Sequence, residues 1–224
     1  MHIEKNVMDN ILHTIMDTNE KMKDNLKARL DLQEMGLRPT LHPWTGEDGR
    51  TYISPACHMM SKDDKTDFLR VLKNVKVPNG YASNISQCVK LKDRTITGLK
   101  SHDSYVLMQK LLPIIVRGSL SPNVVQPLIE MSTFFMGICS TTLTQGDMNQ
   151  LEIGVCVILC KMKQIFFPSF FTIMVHLVVH LVHECRLSGP IPYKWMYPGD
   201  RYNLFTLFDF VSCLIILYQC VNLG

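Results

Sequence analysis

Apolar residues recur at helical spacing through most of this 224-residue chain. Ile3, Val7, Ile11 and Ile15 stand four apart, which puts them on one face and predicts an amphipathic helix. A second helix is expected over "EKMKDNLKARLDLQEMG", ended by Gly36, with Pro39 just beyond. Ser61 and Asp64 make a capping-box pair ahead of Phe68, Leu69, Leu72 and Val75. "SHDSYVLMQKLLPIIVRG" predicts a helix capped at Ser101 or Asp103 and bent at Pro113. Ser121 as N-cap and Pro122 at the first helical position open another. Two apolar helices follow, near 147–166 and 169–187, divided by Pro168.

The intervening pattern is turn-like. Residues 39–60 are punctuated by Pro39, Pro43, Gly46, Gly49 and Pro55, and "EDGRTYI" suits one short extended pair. "VPNGY" is a turn. The expected fold is therefore mainly α: an irregular multi-helix domain with at most a short β-hairpin near 44–54 and an apolar C-terminal helix. "NLFTLFDFVSCLIILYQCVNLG" carries Asp209 as its only charge, close to the length that spans a bilayer. It has no basic flank and holds an acid inside, which a spanning helix avoids.

Charge divides the chain unevenly. Residues 1–112 carry 17 Lys/Arg and 14 Asp/Glu, whereas 113–224 carry 6 of each. The first half reads as solvated and the second as buried. A net charge of +3 does not argue for nucleic-acid binding by itself. The eight cysteines (57, 88, 139, 156, 160, 185, 213, 220) are scattered, form no C-x-x-C and sit largely in apolar runs. They read as reduced thiols of an intracellular protein rather than a disulfide framework. "MHIEKNVMDN" lacks the apolar core of a signal peptide.

Phosphate-binding glycine loops, nucleophile elbows and zinc-finger spacings are missing from the sequence. In "KSHD", Lys100 to Asp103, neighbouring side chains point apart, so the stretch reads as a helix start and not as a triad. "MVHLVVHLVHE" is the sharper candidate. His176 and His180 share a helix face and Glu184 lies a turn further on, a metal-ligand spacing. Leu177 occupies the place of the general-base glutamate of H-E-x-x-H. The competing reading is a buried core helix with hydrogen-bonded histidines, and that reading is preferred, with no metal expected. "YKWMYPGDRY" offers Lys194, Trp195 and Arg201 as candidates for nucleic-acid contact.

Several stretches together carry a resemblance. "MHIEKNV", "KARLDLQEMGLRP", "VKVPNGYASNI", "GLKSHDSYVLMQKLLPIIVRG", "PSFFTIMVHLVVHLVHE" and "GPIPYKWMYPGDRY" resemble the plant domain of unknown function that follows the transposase core of CACTA (En/Spm-type) transposons. The likeness runs over 1–202 and leaves 203–224 as a divergent hydrophobic tail. In that family an aspartate of the core precedes the first motif, giving D-x-x-H, of which only His2 stands here. The family's W-M-Y-P-x-E-R-Y has Asp200 in place of its glutamate, and Thr172 stands where an Asp is usual.

The resemblance implies an RNase H-like transposase whose acids hold two metal ions. Its first acids are expected upstream of this chain, which leaves Asp200 and Glu184 as candidates for a last one. The abrupt start and the foreign end suggest a truncated gene product. The expected function is an accessory or interaction part of such a transposase, without catalytic activity or cofactor of its own. Expected partners are the transposase core or other transposon proteins, with DNA met only indirectly and no small-molecule substrate. By resemblance the location is the nucleus. Two alternatives stay open: a metal-dependent hydrolase built on His176, His180 and Glu184, and a single-span membrane protein through 203–222.

Overall fold

The computed structural model describes residues 2–17, 24–75 and 84–191. Within them the protein is mainly α, with two short antiparallel hairpins. The predicted first helix is α1 (His2–Ile15), and its apolar face is wholly withdrawn from water at Val7, Met8, Ile11 and Ile15. α2 (Leu26–Glu34) begins later than the pattern suggested, because the Asn25 side chain accepts from the Ala28 N–H and caps it there. Its end is the expected glycine. Gly36 adopts φ +66°, and the N–H groups of Gly36 and Leu37 return to the carbonyls of Gln33 and Leu32. That pairing satisfies two carbonyls the last turn would otherwise strand.

The expected hairpin is present. β1 (Trp44–Thr45) pairs with β2 (Thr51–Tyr52), Trp44 opposite Tyr52. α3 (Lys62–Asn74) starts from the reciprocal Ser61/Asp64 cap and buries Phe68, Leu69 and Leu72. A one-turn α4 (Ile85–Cys88) leads into a second hairpin, β3 (Val89–Lys90) with β4 (Thr95–Ile96), which periodicity did not suggest.

α5 (Ser101–Val106) has Lys100, not Ser101 or Asp103, at the N-cap position. The buried Asp103 caps from the third position instead, accepting from the backbone N–H groups of Lys100 and Asn84 at 2.9 and 3.0 Å. The helix then widens into a π turn (Leu107–Leu111) before α6 (Leu112–Ile115), which contains Pro113. Pro113 thus acts by forcing the turn ahead of it open. Its ring crowds the preceding carbonyls and it brings no N–H.

α7 (Pro122–Ile138) starts as expected at Pro122, although the Ser121 hydroxyl makes no capping bond. α8 (Gln145–Ile165) opens with a reciprocal Thr144/Asp147 cap that the sequence reading passed over. α7 and α8 form the most extensive helix pair, and Gly137 lets them close. A Cβ there would stand 3.1 Å from Leu151 Cδ2.

The helix expected over 169–187 is not continuous. A 3-10 turn at Pro168–Phe170 precedes α9 (Ile173–His176), a second 3-10 turn covers Leu177–His180, and α10 (Leu181–Ser188) completes the run. Nor is it apolar all round in its setting. Val175, Val178, Val182 and Cys185 face the core, while Ile173 and Leu187 are 63% and 70% exposed. One core joins α1, α3 and α5 to α10, and Leu32, Ala56 and Phe167 form a small second one.

Candidate functional site

Four polar or aromatic arrangements stand out. The first is the histidine pair. His176 closes α9 and His180 closes the following 3-10 turn, and their Nε2 atoms lie 3.3 Å apart with the rings edge to face. Both are half-buried. Burial and the neighbouring His180 ring hold His176 below the usual imidazole range, favouring the neutral ring. Glu184, on α10, is also half-buried. Among the described residues no three His, Cys, Asp or Glu side chains gather as a metal set, so the three-ligand arrangement of the hydrolase alternative is not assembled there.

The second is a buried acid. Glu4 lies in the apolar stripe of α1 and is 2% exposed. Its Oε1 accepts from Gln109 Nε2 at 2.8 Å, and its Oε2 finds no partner. Gln109 belongs to the π turn and also reaches the Phe135 carbonyl at 3.3 Å. Burial raises the Glu4 carboxyl to about 7, against the lowering effect of the Gln109 amide. Burial likewise pushes the Cys139 thiol up to about 12, and the nearby Glu4 acts in the same direction. The group is a neutral acid or a carboxylate according to pH, sealed from solvent.

The third arrangement binds the amino-terminal region to the end of α8. Arg29, 1% exposed, donates to both oxygens of the buried Asp24 at 2.5 and 2.7 Å and to the carbonyls of Leu41 and Ser54. Its guanidinium lies 4.7 Å from the centre of the Phe167 ring, with that of Arg38 at 5.9 Å. Arg38, at φ +49°, donates to the carbonyls of Ile165 and Lys163. His58 is fully buried against Phe166 and Phe167, and neither ring nitrogen makes a well-aligned hydrogen bond, although the Ile165 carbonyl lies near enough to act on the ring. Burial lowers it to about 4; the Ile165 carbonyl opposes this, and the charges of Arg29 and Arg38 add to it.

The fourth is on the surface. Trp44 and Tyr52 stack with ring centroids 5.9 Å apart and are 51% and 41% exposed. The Tyr52 hydroxyl donates to Asp48 at 2.7 Å, and its ring leaves no room for a Cβ at Gly46, which would stand 2.7 Å away. Leu26, Leu30 and Met35 on and after α2, then Leu37 and Ile53, are also at least 40% exposed. Arg29 ties α2 by hydrogen bonds to the chain on either side of this hairpin, beside the packing of Leu32 on Ala56 and Leu41.

The candidates Lys194, Trp195, Asp200 and Arg201 lie outside the described residues, as does the apolar tail 203–224 with Cys213 and Cys220. The other six cysteines are free thiols. Among the described residues no helix is long and apolar enough to cross a membrane. Glu4 went unnoticed although the signal was available, an acid in line with Met8, Ile11 and Ile15. Arg29 had no local signal, since its partners are spread from Asp24 to Phe167.

No curated protein and no solved structure matches the chain. The stretch 138–213, about a third of the chain, is similar to a protein family: it matches the model described as Domain of unknown function (DUF4218).

Proposed function

We propose that this chain is a helical interaction module associated with a CACTA-type transposase, with no catalytic activity alone. The resemblance of the motifs along 1–202 supplies the context, and the match at 138–213 is consistent with it. The observation that carries the interaction role is the exposed aromatic and aliphatic surface of α2 and the first hairpin. A Trp–Tyr stack fixed by Asp48 and Gly46, together with the exposed leucines of α2, is the kind of surface that protein partners bind. The partner is the transposase core or another protein of the same element. DNA is met through that partner, and the expected location is the nucleus.

Mixing the purified chain with the transposase core of its element tests this by titration calorimetry. A saturable complex is expected, weakened at least tenfold by Trp44→Ala or Leu30→Ala. Both are exposed positions, so the fold should be retained. A folded chain that binds neither the core nor another protein of the element, or binding indifferent to both substitutions, would overturn the proposal.

A further inference from the structure

We propose that His176 and His180 form a two-imidazole clamp for a divalent ion of the zinc class, with water completing its coordination. The argument starts from the separation of the ligand atoms. Two imidazole nitrogens bound to one tetrahedral zinc at about 2.0–2.1 Å are held about 3.3–3.4 Å apart. The two Nε2 atoms stand 3.3 Å apart. An ion therefore needs no rearrangement of the backbone to engage both.

The pair is also held in place. Val175, Val178 and Val182, on the same run of turns, are fully buried and anchor it to the core. A ligand pair fixed by such packing keeps its geometry without the ion, which is the requirement for a preorganised site. Both rings remain half-exposed, so an ion has access. Nitrogen donors select zinc, copper and nickel over magnesium and calcium, which prefer oxygen.

The protons balance. In the ion-free pair one neutral ring donates its Nε2–H to the Nε2 lone pair of the other. On binding, the donor ring carries its proton on Nδ1 instead, both Nε2 lone pairs go to the ion, and no net proton is released. Among the described residues no third His, Cys, Asp or Glu joins the set. Two protein ligands make the proposed clamp weaker and more exchangeable than the closed four-ligand sites that hold small domains together.

Calorimetric titration of zinc chloride into the full, tag-free chain tests this. One equivalent is expected to bind and to raise the melting temperature. His176→Ala or His180→Ala should each weaken binding at least tenfold and abolish the thermal shift. His102→Ala, at an exposed histidine on α5 stacked near Tyr105, should change neither. Glutamine at 176 or 180 keeps much of the side-chain volume and must weaken binding just as alanine does, which covers the case of an alanine variant that misfolds. Failure of the parent chain to take up one equivalent, or uptake persisting in a folded His176→Gln/His180→Gln double variant, would overturn the clamp.

Discussion

The Ser132 hydroxyl donates to the carbonyl of Met108 at 2.7 Å, joining α7 to the π turn ahead of Pro113. The reason lies in the register of that turn. The Leu112 N–H bonds to the Leu107 carbonyl, five residues back. Continued one step, Met108 would need the N–H of residue 113, and proline has none. Its carbonyl is orphaned by Pro113 and satisfied by Ser132.

Ser132→Ala is therefore expected to destabilise the protein by about 1–3 kcal/mol, the cost of leaving a buried carbonyl unpaired. Pro113→Ala restores an N–H and should reduce that penalty. Urea unfolding of both single variants and the double variant gives the coupling directly. A Ser132→Ala cost that is unchanged in the Pro113→Ala background would show that the hydroxyl serves some other end.

Glu4 and His58 should give opposing pH dependences. The neutral Glu4 carboxyl, native value about 7 against 4.5, contributes stability that is full below about 4.5. That contribution is lost as pH rises to about 7, in all by about 3 kcal/mol. The neutral His58 ring, native value about 4 against 6.5, contributes stability that is full above 6.5. It is lost by a similar amount, about 3 kcal/mol, as pH falls to about 4. Over the shared window the slopes cancel. Glu4→Gln should expose a stability that rises with pH, and His58→Leu one that falls, in denaturant titrations between pH 4.5 and 7. Profiles parallel to the parent's in both variants would refute the assignment.

Arg29→Ala should be among the most damaging single changes. It strands Asp24, itself buried, and frees the carbonyls of Leu41 and Ser54. Breaking a buried pair in this way costs about 3–5 kcal/mol. Lysine should not rescue it, because one ammonium cannot span the four acceptors that the planar fork reaches. Thermal unfolding of the two variants decides this, and recovery by Arg29→Lys to near the parent's midpoint would count against it.

The purified chain is expected neither to nick nor to join DNA with magnesium or manganese, because a two-metal site needs several convergent carboxylates. Gel assays on supercoiled plasmid give the answer. Metal-dependent nicking abolished by Asp200→Ala or Glu184→Ala would overturn the non-catalytic reading.

Most helices were legible because apolar spacing and caps are local signals. Ser61/Asp64, Gly36 and Pro122 each act within a few residues of themselves. The first hairpin was legible from its glycines. Three features were not. The break of the 169–187 run into 3-10 and α pieces follows from packing, since its residues are helix-compatible throughout. The π turn stands where the sequence predicts a simple bend at Pro113, and the hydroxyl that completes it, Ser132, lies in another helix. The Arg29 cluster gathers partners from residue 24 to residue 167. Of the candidate site, the spacing of His176 and His180 foretold their meeting, whereas Glu184 did not complete a three-ligand set.

The guanidinium of Arg38 closes the last carbonyls of α8 from more than a hundred residues away. Asn10 likewise donates to the Phe170 carbonyl at 2.7 Å, and Arg29 covers the face of Phe167. The segment that carries the family likeness therefore has its helix end, its turn and its aromatic ring finished by residues that lie before it. A boundary drawn at residue 138 marks where the likeness begins, not where a self-sufficient unit begins. The piece it releases would lack the partners that complete its structure, so the unit that folds is larger than the stretch that is matched.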